Sequence, residues 1–151
     1  MHCVSRWIIA LSATGFCGCQ AMETPPGYVR LDPVMGYDYR AVSADGAVIS
    51  VRTVENPRDA TLAFWNKAIT NELVEARSYK LDAKQDVRSD RGTPGTAMLL
   101  RTQVEGIEYL YLLTVFVKSQ HVIVFEATGP APTIETDLPA IRRAVLASPL
   151  L

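Results

Sequence analysis

The sequence has few of the residues that most catalytic and metal sites require, with two histidines and three cysteines among its 151 residues. Its formal net charge is -1, so it lacks the excess of positive charge that gathers nucleic acid, and we expect no nucleic-acid partner. No apolar run reaches the roughly 20 residues of a membrane-spanning helix. With 48% apolar and 21% charged residues, the chain has the composition of one ordinary globular domain.

The first 20 residues have the pattern of a secretory signal peptide. Arg6 precedes an apolar run, and only small or apolar residues follow up to Cys19. The segment Phe16-Cys17-Gly18-Cys19 resembles the lipobox of bacterial lipoproteins, in which the final cysteine receives diacylglycerol and becomes the first residue after cleavage. The resemblance implies a lipoprotein signal peptide over residues 1 to 18 and lipid attachment at Cys19. Lipidation of Cys17 and an ordinary cleaved signal peptide are the alternatives.

Cleavage would remove two of the three cysteines and leave Cys19 bonded to lipid, so no disulfide is expected. A diacylated residue stays on the membrane, because each buried methylene contributes about 0.8 kcal/mol. Residues 19 to 36 include three prolines and little periodicity, which predicts a lipidated tether. Gln20 follows the cysteine where inner-membrane lipoproteins carry Asp. We therefore expect a location in the cell envelope, on the outer membrane facing the periplasm rather than on the inner membrane.

A hairpin and a helix are predicted after the tether. Residues 37 to 54 form two alternating runs around Asp45-Gly46, which predicts a two-residue turn that pairs Val42 with Ile49 and Tyr39 with Arg52. A helix is then expected over residues 59 to 77, capped by Asn56 or Asp59. Its apolar stripe, which we interpret as core, consists of Leu62, Trp65, Ile69, Leu73 and Ala76.

The most apolar part of the chain follows a weaker strand over residues 79 to 88. Segments 96 to 104, 107 to 118 and 121 to 128 are separated only by Glu105-Gly106 and Ser119-Gln120, which predicts a three-stranded meander. Both faces of this meander are apolar, so both need cover. A helix around residues 134 to 148, kinked at Pro139, supplies the second cover.

This order predicts an α+β fold in which an antiparallel sheet of about six strands is covered by helices on both faces. The helix FWNKAITNEL, the meander TAMLLRTQVEGIEYLYLLTVFVKSQHVIVFEATGP and the closing PAIRRAVLAS are similar to the PsbP-like α/β/α sandwich, which also includes DcrB-like envelope proteins. The resemblance covers about residues 37 to 148 of the predicted domain, which extends over residues 37 to 151. It implies a binding or accessory role rather than a reaction.

Catalytic and metal motifs are scarce in the mature chain. His121 is its single histidine and is expected at the rim, so histidine clusters for zinc or copper cannot form. Asp82, Asp86 and Asp90 are spaced too widely along a strand to share calcium, and we interpret them as a solvated edge. We expect no enzyme activity, no metal and no cofactor.

One carboxylate is placed by the turn registers on an apolar face. Leu113 falls opposite Glu126, which then lies beside Tyr109 and Tyr111. A bare carboxylate there would be costly, so a partner is required, either a tyrosine hydroxyl or Arg40 or Arg52. The alternative is that Glu126, Tyr109 and Tyr111 form the polar anchor of a small ligand pocket.

These observations favour a membrane-anchored envelope lipoprotein that acts as a non-enzymatic protein-binding or accessory module. We expect the membrane, through the covalent lipid, and an envelope protein as partners. The alternative is a carrier or sensor of a small apolar ligand held between helix and sheet.

Overall fold

The computed structural model describes residues 21–151, so the predicted signal peptide and Cys19 lie outside the described residues. The fold is α+β, with seven strands and two helices. The strands are β1 (Tyr28–Arg30), β2 (Tyr39–Ser43), β3 (Val48–Glu55), β4 (Lys80–Arg88), β5 (Pro94–Val104), β6 (Ile107–Lys118) and β7 (His121–Pro130). The helices are α1 (Leu62–Thr70), which continues into a π-helical segment (Asn71–Ala76), and α2 (Ala131–Leu146).

All neighbouring strands of the single sheet are antiparallel, in the order β1-β2-β3-β7-β6-β5-β4. The predicted meander is confirmed. Both of its two-residue turns begin with a non-glycine residue at positive φ, Glu105 and Ser119. Such turns match the right-handed twist of the strands and fix the register. Leu113 accordingly pairs with Glu126.

The first hairpin has a different register from the predicted one. Ala41 pairs with Ile49 and Tyr39 pairs with Val51, so the predicted pairs of Val42 with Ile49 and Tyr39 with Arg52 are wrong. Residues 44 to 47 connect the two strands, and the Ser43 amide donates to the Ala47 carbonyl oxygen at 2.9 Å, so three residues lie inside the last hydrogen-bonded pair. Gly46 in this turn has φ 83°. The extra loop residue shifts every pair by one.

The predicted tether over residues 19 to 36 needs correction, because much of it belongs to the folded domain. Ala21 and Met22 are buried in the core, and β1 adds a seventh strand to the six expected. The Ser148 hydroxyl donates a hydrogen bond of 2.5 Å to the Ala21 carbonyl oxygen. Apolar packing and strand pairing therefore fix a segment whose prolines suggested a free linker.

Alternate residues of the central strands enter two hydrophobic clusters. One cluster joins side chains of α1 and the π-helical segment to the sheet and includes Trp65, Ile69, Leu73, Met98, Leu113 and Val124. The other joins α2 to the sheet and includes Leu112, Phe116, Phe125, Ile134 and Ile141. The helix predicted over residues 59 to 77 starts later, because the Thr61 hydroxyl caps it by accepting from the Phe64 amide. Pro139 lies within α2 without ending it.

Candidate functional site

A groove of about 390 Å³ lies between the α1 side of the molecule and the sheet. Its walls are mainly apolar, with the charged residues Arg52, Glu72, Arg77 and Glu126 among them. Its apolar and aromatic lining comprises Val54, Trp65, Ala68, Ile69, Leu73, Tyr111, Leu113, Val122 and Val124. A concave, mostly apolar site with a few polar groups is typical of a binding site.

Glu126 is the centre of a hydrogen-bond network in this groove. Arg52 donates from Nη2 to Oε1 at 2.8 Å and from Nε to Oε2 at 3.1 Å. The Tyr111 hydroxyl donates to Oε1, and the Ser50 hydroxyl donates to Oε2 at 3.2 Å. The paired arginine and two hydroxyls supply four donors to one carboxylate, so both of its oxygens are satisfied.

The network explains how an acidic side chain can lie on an apolar face. The Glu126 side chain is only 14% exposed, whereas that of Arg52 is 41% exposed. Burial raises the pKa of Tyr111 well above its usual range, and the charge of Glu126 beside it acts in the same direction. Tyr111 is therefore a neutral donor, and the guanidinium is the part of the network that solvent reaches.

The predicted partners of Glu126 are confirmed in Arg52 and in a tyrosine hydroxyl, that of Tyr111, whereas Arg40 makes no hydrogen bond to it. The guanidinium carbons of Arg40 and Arg52 lie 5.2 Å and 5.7 Å from the centre of the same Tyr37 ring. Tyr109 was placed in the same pocket by the sequence, but it does not line the groove. It pairs with Pro130 at the end of β7, two pairs beyond Tyr111, and so lies away from the groove.

The sequence analysis placed several helical residues of the groove on a core stripe, and it missed the charged residues Glu72 and Arg77. The π-helical segment brings Glu72 and Leu73 to the groove, and Glu72 Oε1 lies 2.8 Å from Arg77 Nε in an ion pair. Trp65 was interpreted as core, and it both packs in the α1 cluster and lines the groove. The spacing of apolar residues in the helix predicted over residues 59 to 77 identified the face that packs on the sheet. It did not show that this helix leaves part of the sheet uncovered.

The other residues singled out by the sequence lie apart from the groove. His121 is exposed at the start of β7, and Asp82 pairs with Arg101 at 2.6 Å on the edge strand β4. Among residues 21–151, no three His, Cys, Asp or Glu side chains are arranged to hold a metal ion. In the same part of the chain, no helix combines the length and apolarity that crossing a bilayer requires.

No protein-family model and no curated protein matches this sequence. Solved structures do match: cyanobacterial PsbP (CyanoP) from Synechocystis sp. PCC 6803 has a TM-score of 0.57 and 16% identity over 89% of this chain and 95% of its own. The fold is PsbP-like. LpqN, involved in cell envelope biogenesis of Mycobacterium tuberculosis, has a TM-score of 0.61 and 11% identity over 82% of this chain and 78% of its own. The Saccharomyces cerevisiae Ran-binding protein Mog1p has a TM-score of 0.55 and 13% identity, over 82% of this chain and 81% of its own. At these identities the similarity concerns the fold alone.

Proposed function

We propose that this protein is a lipid-anchored cell-envelope protein whose PsbP-like domain binds another envelope protein and catalyses no reaction. The anchor is diacylglycerol on Cys19, and the outer membrane facing the periplasm is the proposed location. The similarity of LpqN, a protein involved in envelope biogenesis, agrees with an envelope role.

The position of the lipobox relative to the folded domain supports the anchor. Met22, three residues after Cys19, is completely buried in the core. All the residues of the two hydrophobic clusters in the described part of the chain therefore remain after removal of residues 1 to 18. The mass of the intact protein extracted from membranes tests this step: a chain starting at Cys19 with added acyl groups is expected. A chain that retains residue 1 and carries no acyl mass would contradict it.

The groove on the α1 side is the single observation that carries the binding role. It combines apolar walls with the paired Arg52 and Glu126, and the Arg52 side chain is 41% exposed. An apolar side chain of a partner can be buried against the walls, while a backbone carbonyl of that partner accepts from Arg52. Because Glu126 already neutralises the arginine, a neutral acceptor suits this site better than a second anion.

A photo-crosslinking amino acid at Ala68 tests the partner directly. Ala68 is exposed on α1 and lines the groove, whereas Ala63 is exposed on the same helix and does not line it. In membranes of the native cell, we expect one specific protein adduct from position 68 and none from position 63. Adducts that are equal at the two positions, or absent at both, would contradict docking in this groove.

A second candidate is a carrier or sensor of a small apolar ligand, and the size of the groove favours it. A volume of about 390 Å³ lies within the range of small-molecule sites, about 300–1,000 Å³. Native mass spectrometry of the membrane-extracted protein is expected to retain a bound small molecule in this case. A mass equal to that of the acylated chain alone would count against a carrier.

A further inference from the structure

The two ends of the sheet differ sharply in charge. Three segments that meet at the end of α2, residues 88 to 93, 118 to 121 and 142 to 151, form what we call the basic end. It contains one acidic residue, Asp90, against five basic ones: Arg88, Arg91, Lys118, Arg142 and Arg143. The neighbouring connection from β3 to α1 adds Arg58 against Glu55 and Asp59, which leaves the basic end net positive.

The opposite end has the reverse charge. The hairpin at residues 44 to 47, the β5–β6 turn at 104 to 108 and the start of α2 at 131 to 137 form the acidic end. These segments contain no lysine or arginine and five acidic residues: Asp45, Glu105, Glu108, Glu135 and Asp137. Arg101, further along β5, pairs with Glu108, and its strand partner Lys80 at the start of β4 is a second cation toward this end. Five acidic residues against these two cations leave the acidic end net negative. The ten residues of β7 separate the two ends by about 33 Å.

Hydrogen bonds hold the segments of the basic end together around residues 146 to 151. The Asp90 amide donates to the Leu146 carbonyl oxygen at 2.9 Å. Arg91 Nη1 donates to the Pro149 carbonyl oxygen at 2.9 Å, and Lys118 Nζ donates to the Leu150 carbonyl oxygen at 3.1 Å. Both cations are exposed, and each has further N–H donors free for a second partner.

Ala21 lies at this basic end. Its carbonyl oxygen accepts the hydrogen bond from Ser148, and Met22 beside it is buried, so the chain is fixed at this point. Cys19 precedes Ala21 by two residues, which span at most about 7 Å. A lipid on Cys19 therefore holds the basic end, and not the acidic end, within reach of the headgroups.

We infer that the basic end is a membrane-facing surface, on which Arg91 and Lys118 contact the phosphates of anionic phospholipids while the acidic end points away from the bilayer. The inference rests on the proposed lipidation of Cys19. An anionic surface attracts the basic end and repels the acidic end, so both charges favour the orientation that the short link imposes.

Spin labels at the two ends test the orientation in the intact lipoprotein. Gln120→Cys lies at the basic end and Asp45→Cys at the acidic end, and both positions are exposed. Signal cleavage and acylation leave the introduced thiol as the single free one. The protein is reconstituted into phosphatidylglycerol-containing vesicles that carry a gadolinium-chelating lipid. We expect relaxation enhancement at position 120 at least about threefold greater than at position 45, because the ends are about 33 Å apart.

Charge reversal separates the headgroup contacts from the effect of the link. In the double variant Arg91→Glu with Lys118→Glu, we expect the difference between the two labels to fall by about half or more on anionic vesicles. The matched control is Lys67→Glu with Lys84→Glu, which changes the net charge equally at exposed positions away from either end. We expect the control to leave the difference unchanged.

The outcomes distinguish this inference from the proposed function. Equal relaxation at positions 45 and 120 in protein whose intact mass includes the acyl chains would overturn the orientation and leave the anchor intact. A mass without acyl chains would overturn the anchor itself. A label difference that Arg91→Glu with Lys118→Glu does not alter would overturn the phosphate contacts.

Discussion

Arg52 on β3 donates hydrogen bonds from Nε and Nη2 to both carboxylate oxygens of Glu126 on the neighbouring strand β7. The two residues are diagonal neighbours, because Ser50 is the direct partner of Glu126 in the sheet. A bidentate arginine and two hydroxyl donors together satisfy both oxygens of this mostly buried carboxylate. Removal of Glu126 takes the shared acceptor from the other three residues at once, which makes this carboxylate a sensitive reporter of stability.

Glu126→Ala is expected to lower the free energy of unfolding by about 2 kcal/mol. It removes the acceptor of Arg52, Tyr111 and Ser50, although the exposed guanidinium recovers part of the loss from water. Glu126→Gln keeps one acceptor oxygen and should cost less. The control Glu55→Ala removes an exposed carboxylate from the same sheet and should change stability by under about 0.5 kcal/mol. Urea denaturation measures all three, and equal stability of Glu126→Ala and wild type would contradict the prediction.

Stability should fall as the pH rises above about 10 because of buried tyrosines. Burial and the adjacent Glu126 raise the pKa of Tyr111 above its ordinary value of 10.0, so the unfolded chain releases this proton first. The native state then binds more protons than the unfolded state, and the free energy of unfolding decreases with pH. Tyr111→Phe should be less stable than wild type at pH 8, and this deficit should shrink by up to about 1.4 kcal/mol per pH unit above pH 10. A stability difference between Tyr111→Phe and wild type that does not vary with pH would contradict a raised pKa of Tyr111 in the native state.

Trp65 should report directly on occupancy of the groove. In the proposed mature chain, which lacks Trp7, the single tryptophan is Trp65, and it lines the groove. With N-phenyl-1-naphthylamine, a neutral dye, as the apolar probe, we expect energy transfer from Trp65 to the bound dye. Ala68→Phe fills the groove and should weaken binding about tenfold, equivalent to about 1.4 kcal/mol. Ala63→Phe places the same side chain on the same helix outside the groove and should bind the dye as wild type does. Equal affinity of the two variants would contradict binding in the groove.

Gly129 permits β7 to approach the first hairpin closely, and alanine should not fit there. A Cβ at this position would lie 2.8 Å from both Cα and Cβ of Ala47. Gly129→Ala should therefore cost about 2 kcal/mol through strand displacement. Adding Ala47→Gly removes one of the two contacts and should recover part of the loss in a double-mutant cycle measured by urea denaturation. Strictly additive effects of the two substitutions would show that the contact does not cause the loss.

The meander and its central carboxylate could be predicted because their geometry is local. Each connection has two residues, and that length sets the register that places Glu126 opposite Leu113. Asp45-Gly46 fits turns of two and of three residues, so the first register could not be read from the dipeptide. The strand β1 has only three residues, which is too short for an alternating pattern to be recognised, and its Tyr28 joins the α2 cluster through contacts distant in sequence.

The groove is formed by contacts between residues that are far apart in sequence, which the pattern of a single segment does not predict. Arg52 and Glu126 are 74 residues apart in sequence, and the carboxylate indicated that a partner was needed without identifying which cation would reach it. Glu72 enters the groove through a π-helical turn, which shares the apolar spacing of the α-helix before it. The choice between Tyr109 and Tyr111 also needed the structure, because both lie on one face of β6 and only their distance along the strand separates them.

The hydrogen bond between Ser148 and Ala21 also limits how far the domain can move from the proposed lipid anchor. A lipoprotein with a long, unstructured linker can contact partner proteins far from the leaflet that holds its lipid. The proposed anchor places the lipidated Cys19 only two residues before the fixed Ala21. The domain would then diffuse laterally along the membrane and would contact other proteins only within a layer about one domain deep. For a protein anchored as proposed, lateral diffusion in that layer would raise the effective concentration of membrane-bound partners, so weak contacts in the groove would suffice for a stable complex.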